Sequence, residues 1–231
     1  MPGISLTPPI FTTSNSTSVD STLSAYTNND NSFISNPGSE VGRLGIWRFN
    51  TGTTTNGNAF VSSPLIGSSL SYPYRLGEGA WSFSTSARMT NVSAVGNLYN
   101  SYFGLTGASI SPASGCTFRY SIADYSGDWA GVCGNGSSET KCPITDTPGT
   151  PGTRAVVAGT WYRLEFTVNS AGTSVTFNAT NGSTTYSCTV SATIPTSANL
   201  SLTIGILKST GTTARTMDVD YLDISYDTSN R

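Results

Sequence analysis

The stretch AGTWYRLEFTVNSAGTSVTF, residues 158–177, decides the fold class. Within it Trp161, Arg163, Glu165 and Thr167 alternate with Tyr162, Leu164, Phe166 and Val168. Side chains of a strand point to opposite faces in turn, so this segment reads as a half-buried strand with one apolar face. NSAG makes a turn, TSVTFNAT reads as the next strand, and Asn181-Gly182 is a strong short-range hairpin signal. TTYSCTV then returns.

The same period runs outward in both directions. In AWSFSTSARM, residues 80–89, Trp81, Phe83, Thr85 and Ala87 oppose Ser82, Ser84, Ser86 and Arg88. In RLGIWRF, residues 43–49, alternation puts Leu44, Ile46 and Arg48 on one face and Arg43, Gly45, Trp47 and Phe49 on the other. NAFVSS, LYNSYFGLTG, CTFRYSI, DWAGVCG and LSLTIGILK add further strands. In MDVDYLDISY, residues 217–226, Met217, Val219, Tyr221 and Asp223 oppose Asp218, Asp220 and Leu222. The loop PITDTPGTPGTR, residues 143–154, holds three prolines and cannot be a central strand. Short strands at regular spacing, with Gly/Asn turns and no convincing helix, predict an all-β antiparallel sandwich of jelly-roll type. Residues 41–231 form this sandwich. Residues 1–40, rich in Ser, Thr, Asn and Pro, form an extended arm that orders against a partner, with Ile10, Phe11, Tyr26, Phe33 and Ile34 as anchors.

Composition excludes several functions. Charged residues are 10% of the chain, the net charge is −2 and no Lys/Arg cluster occurs, so nucleic acid is not an expected partner. No apolar run is long enough to span a membrane. The opening MPGISLTPPIFTTSNS lacks the basic and apolar regions of a signal peptide, which points to release by cell lysis. The chain has no histidine, which removes Ser-His-Asp and Cys-His catalysis and histidine-bound zinc. Of the four cysteines, Cys133 sits symmetrically across a hairpin from Cys116 and across another from Cys142, so the expectation is either one disulfide, Cys116–Cys133 or Cys133–Cys142, or four partly buried thiols.

Two stretches carry a family resemblance. LGIWRFNTGTTTNGNA, residues 44–59, and AGTWYRLEFTVNSAGTSVTF, continuing to ILKSTGTTARTMDVDYLDIS at 206–225, resemble the concanavalin A-like lectin/glucanase jelly rolls of tailed-bacteriophage structural proteins. The resemblance implies a virion surface protein, a capsid decoration, a head or tail appendage or a tail-fibre element. Its implied partners are other virion proteins and further copies of itself, with trimers as the expected oligomer, and a host glycan. The absence of histidine, with Asp218, Asp220 and Asp223 at the three positions of the triad where glucanases carry Glu and Asp, sets the expectation of no enzymatic activity and no required cofactor.

Three groups of residues remain as site candidates. Aromatic rings stack on sugars, and Tyr72, Tyr74, Tyr125 and Trp129, with Asp124 and Asp128, lie in polar, Gly-rich segments, as glycan or partner contacts. Asp218, Asp220 and Asp223 have the spacing of the acidic triad in sandwich glucanases, which share one face only across a bulge. Against glycoside hydrolysis by these aspartates stand a structural Ca²⁺ bound by them and a plain solvent-facing role. Glu165 beside Arg163 reads as half of a cross-strand ion pair.

Overall fold

The computed structural model describes residues 18–19, 23–28, 33–63, 74–110, 113–145, 152 and 154–227. Fifteen strands are named in order: β1 Ser18–Val19, β2 Leu23–Asn28, β3 Phe33–Glu40, β4 Arg43–Asn50, β5 Asn58–Ser63, β6 Ala80–Met89, β7 Tyr99–Ile110 and β8 Ala113–Tyr120. They continue as β9 Trp129–Asn135, β10 Glu139–Pro143, β11 Trp161–Val168, β12 Val175–Asn181, β13 Thr184–Val190, β14 Ser201–Lys208 and β15 Thr216–Asp227. One single-turn helix, α1 Ile122–Tyr125, joins β8 to β9. Among the described residues no helix is long and apolar enough to cross a membrane.

Two antiparallel sheets face each other, as the alternation predicts. The eight-stranded sheet runs β1-β2-β5-β14-β7-β8-β9-β10, and the seven-stranded sheet β13-β12-β11-β6-β15-β4-β3. Strands β2 and β3 belong to the stretch read as an arm. They pair with β5 and β4 respectively, so strand pairing reaches back across residue 40. Ile10 and Phe11 lie outside the described residues.

The core is aromatic and crosses between the sheets. Phe83 stacks on Phe166 with ring centres 5.0 Å apart, and Phe118 of the opposite sheet meets Phe177 edge-on at 5.1 Å. Such tilted and offset pairs add to the area that the rings bury. Gly131 makes this possible, because a Cβ there would overlap the Phe177 ring. The two stretches quoted for the family resemblance lock together. The Lys208 ammonium, 1% exposed, donates to the carbonyls of Gly52 at 2.6 Å and Thr213 at 3.2 Å. The Arg215 backbone N–H donates to Thr51 Oγ1 at 3.0 Å. These residues therefore serve the architecture.

Two disulfides replace the expected one. Cys116 and Cys133 face each other directly across β8 and β9 and are bonded, as one of the two expected pairs. Cys133–Cys142 does not form: the β9–β10 turn sets Cys133 opposite Thr140 and Cys142 opposite Gly131. Cys142 instead bonds Cys188. This bridge joins β10 to β13, the terminal strands of the two sheets on the same side of the sandwich.

Candidate functional site

The outer face of the eight-stranded sheet is closed by its own side chains. Phe60 and Tyr102 are 5% and 3% exposed, and Arg119 lies over Tyr102 while pairing with Glu139 at 2.7 Å. The outer face of the seven-stranded sheet differs. It presents the polar half of every alternating pattern: Ser82, Ser84, Ser86 and Arg88 from β6, Trp161, Arg163 and Glu165 from β11, and Asn178 from β12.

A bulge in β15 completes this face. The register of β15 against β6 shifts between Val219 and Leu222. Strict alternation would send Tyr221 inward with Val219 and leave Leu222 outside. The bulge reverses both: Leu222 packs against the core, and Tyr221 turns out, 39% exposed, with its hydroxyl 2.9 Å from Ser84 Oγ. The same bulge carries Asp223 to the face that already holds Asp218 and Asp220.

The three aspartates share a face without forming a cation site. Asp218 is fully buried. It accepts from Arg48 at 2.7 and 2.8 Å and from Arg88 at 2.6 and 3.1 Å, which uses its lone pairs. Asp220 accepts from Arg43 at 2.9 Å. Asp223 lies opposite Ser84 and is exposed. Among the described residues no cluster of acidic groups or cysteines could hold a metal ion.

Arg43 corrects another expectation. Alternation places it on the Trp47 face, yet it bonds Asp220 and Ser86 on the outer face, 2.9 and 2.8 Å away. The register of β4 against β3 shifts between the pairs Gly38–Ile46 and Glu40–Arg43, where β4 carries an extra residue, and this bulge turns Arg43 to the outer face. Its guanidinium carbon lies 4.0 Å from the Trp161 ring centre, and that of Arg88 lies 4.6 Å away. Trp161 is therefore held between cations. Glu165 pairs with Arg163 on its own strand, not across strands.

Glu40 ties this cluster together. It accepts from Arg88 at 2.7 and 3.2 Å and from the Trp161 indole at 3.2 Å. The Arg88 bond, then the Trp161 bond, holds its carboxyl below the ordinary value of 4.5. A lowered carboxyl contributes order that is present above the unfolded-chain value and is lost as pH falls through the folded one. Acidification below pH 4.5 is thus expected to change Trp161 fluorescence before the fold melts, and Glu40→Gln to remove that step. An unchanged step in the variant contradicts the assignment.

The aromatic candidates read from the sequence lie elsewhere. Tyr125 and Trp129 were expected as exposed handles and are instead 1% and 2% exposed. Asp128 is fully buried and holds the loop beyond β10, accepting from the backbone N–H groups of Gly152 and Arg154. Asp124 caps α1 with Ser121 and meets Lys141 at 3.4 Å. Tyr74 is half-buried against Trp81, 5.4 Å between ring centres, and burial raises its phenol. Tyr72 lies outside the described residues. None of the five described candidates joins the outer face of the seven-stranded sheet. Its own exposed ring, Tyr221, was hidden by the bulge. The Asp218, Asp220, Asp223 spacing, which closes on one face only through a bulge, was the available signal.

Comparison with known proteins agrees with the sandwich. The family described as SO2946-like, C-terminal domain, matches residues 42–220. The crystal structure of protein SO2946, of unknown function, from Shewanella oneidensis MR-1 is 18% identical, with a TM-score of 0.62, covering 88% of this chain and 77% of that one. An alginate lyase from Klebsiella pneumoniae is 9% identical, TM-score 0.56, covering 87% and 86%. The catalytic domain of a glycoside hydrolase family 131 protein from Coprinopsis cinerea is 14% identical, TM-score 0.51, covering 80% and 71%. At such identities the likeness is one of fold. No curated protein matches the chain.

Proposed function

The chain belongs to the SO2946-like C-terminal domain family, and from that premise we propose that it is a non-catalytic carbohydrate-binding jelly roll whose binding surface is the outer face of the seven-stranded sheet. The observation that carries this reading is the state of the carboxylates on that face. Glycoside hydrolysis needs one carboxyl to donate a proton and a second to attack or to activate water. Here Asp218 is saturated by two arginines, Asp220 is engaged by Arg43 and Glu165 by Arg163. What stays accessible is a recognition inventory: the Tyr221 ring, the Arg163 fork, and the part-exposed Asn178 amide and Ser82 and Ser84 hydroxyls. A ring supplies a flat apolar surface for a sugar, and the amide and guanidinium supply directed hydrogen bonds.

The setting we propose is the surface of a phage particle, on the strength of the sequence resemblance, with other virion proteins as neighbours and a host glycan as ligand. Two disulfides suit an extracellular place of work. A panel of bacterial surface polysaccharides tests the binding reading by affinity electrophoresis. Tyr221→Ala is expected to weaken binding about tenfold, roughly 1.4 kcal/mol, as for loss of one stacking ring. Retention of full affinity by this variant, or no binding by the folded wild-type protein, contradicts the reading.

A further inference from the structure

A strand at the end of a sheet leaves one row of backbone N–H and C=O groups open to pairing with another chain. Among the described residues the two sheets end in β1, β10, β3 and β13. Three of these carry features that block such pairing. β1 is two residues long. β3 holds Pro37 and shifts register twice against β4. β10 is five residues long and carries Glu139, Lys141 and Pro143. β13 has none of them. Its sequence TTYSCTV holds no charge and no proline, and it stays in register with β12 over seven consecutive pairs. Among the described residues no hydrogen bond beyond that ladder reaches its backbone.

The strand is open on its far side and held on its near side. Thr185, Ser187 and Thr189 on the outer face are exposed, whereas Thr180, Asn178 and Thr176 opposite them on β12 are half-buried. Hydroxyl contacts link each pair: Thr180 to Thr185 at 2.8 Å, Ser187 to Asn178 at 2.6 Å and Thr176 to Thr189 at 3.3 Å. On the inner face Tyr186 and Cys188 pack against the core, and Cys142–Cys188 ties the strand to β10. A strand held in this way has little freedom left to lose when it pairs.

We infer that β13 pairs antiparallel with β13 of a second copy of this chain, about a two-fold axis through Ser187, so that two seven-stranded sheets become one of fourteen strands. The strand suits its own copy. Ser187 is the midpoint of Thr184–Val190, so Ser187 faces the second copy's Ser187, and Thr185 faces the second copy's Thr189. These hydroxyl pairs repeat the kind already made between β12 and β13. Charge does not oppose the pairing. β12 and β13 carry none, and Arg163 and Glu165 lie one strand further in on β11. Each of these is five strand spacings from its own copy, about 24 Å, well beyond a screening length of about 10 Å. The contact uses each β13 once, and the other sheet ends are blocked, so assembly stops at two copies. It sets both outer faces, each with its Tyr221, on one continuous surface, where a polymer held by one copy meets the other at raised effective concentration. The pairing itself stands whether or not that face takes sugar.

Sedimentation equilibrium of the full chain, with no sugar present, tests it up to about 0.5 mM, since so narrow an interface belongs to the weak class. The wild type is expected to approach twice its 24.1 kDa mass. Ser187→Lys and Ser187→Glu each set like charges against each other on the axis, and each alone is expected to stay monomeric with the wild-type melting temperature. Mixed in equal amounts they restore the doubled mass, because Lys then faces Glu. This rescue separates loss of pairing from loss of fold. A wild type that stays monomeric or forms trimers overturns the proposal. So does a dimer that either variant alone retains, or a mixture of the two that stays monomeric.

Discussion

Asp218→Ala is expected to destabilise the fold by about 3 kcal/mol, which for a chain of this size lowers the melting temperature by roughly 6–12 °C. The carboxylate is fully buried between two guanidinium groups; its removal strips Arg48 of its bidentate partner and leaves Arg88, whose side chain is 15% exposed, with only the half-exposed Glu40 as counter-charge. The figure sits at the low end of the range for broken buried pairs because the Arg48 side chain is 34% exposed and water screens it. Asp220, with a side chain 14% exposed and one arginine partner, should matter less, about 1 kcal/mol. Thermal unfolding of the two variants checks both. Equal, small effects would mean that Asp218 does not hold β4, β6 and β15 together.

Removing the Cys142–Cys188 bridge is expected to cost about 4 kcal/mol, since it closes a sequence separation of 46 residues and chain entropy grows with loop length. Cys116–Cys133, across 17 residues, is worth about 3 kcal/mol on the same argument. The first bridge has a structural role that the second lacks. It joins the two sheets where β10 and β13 end them, while Cys116–Cys133 links neighbours already in register. Alanine at both positions of each pair, with unfolding followed in denaturant, should rank them in this order. A Cys142→Ala/Cys188→Ala variant as stable as wild type would contradict it.

How much of this was legible follows from where the pattern was regular. Alternation over Trp161–Val168 and Ala80–Met89 placed every inward ring correctly, because those strands pair without interruption. It failed at Tyr221 and Arg43, where register shifts of β15 against β6 and of β4 against β3 break the period of two. Trp129 and Tyr125 misled for another reason. Glycines and an aspartate around them suggest a wet loop, yet Gly131 is small to admit Phe177 and Asp128 is buried to hold a loop. Polar neighbours in sequence say little about burial when a polar residue's partners lie far along the chain. The Cys142–Cys188 bridge was invisible for the same reason: it joins opposite sheets, and hairpin symmetry speaks only of neighbouring strands.

The central claim is that the outer face of the seven-stranded sheet holds polysaccharide without cutting it. The most direct test incubates the folded protein with each polysaccharide it retains and follows chain length by size-exclusion chromatography, beside an Asp223→Asn/Glu165→Gln variant. The account predicts retention with chain length unchanged for both proteins. Progressive shortening by the wild type, lost in the variant, would establish an enzyme and contradict it.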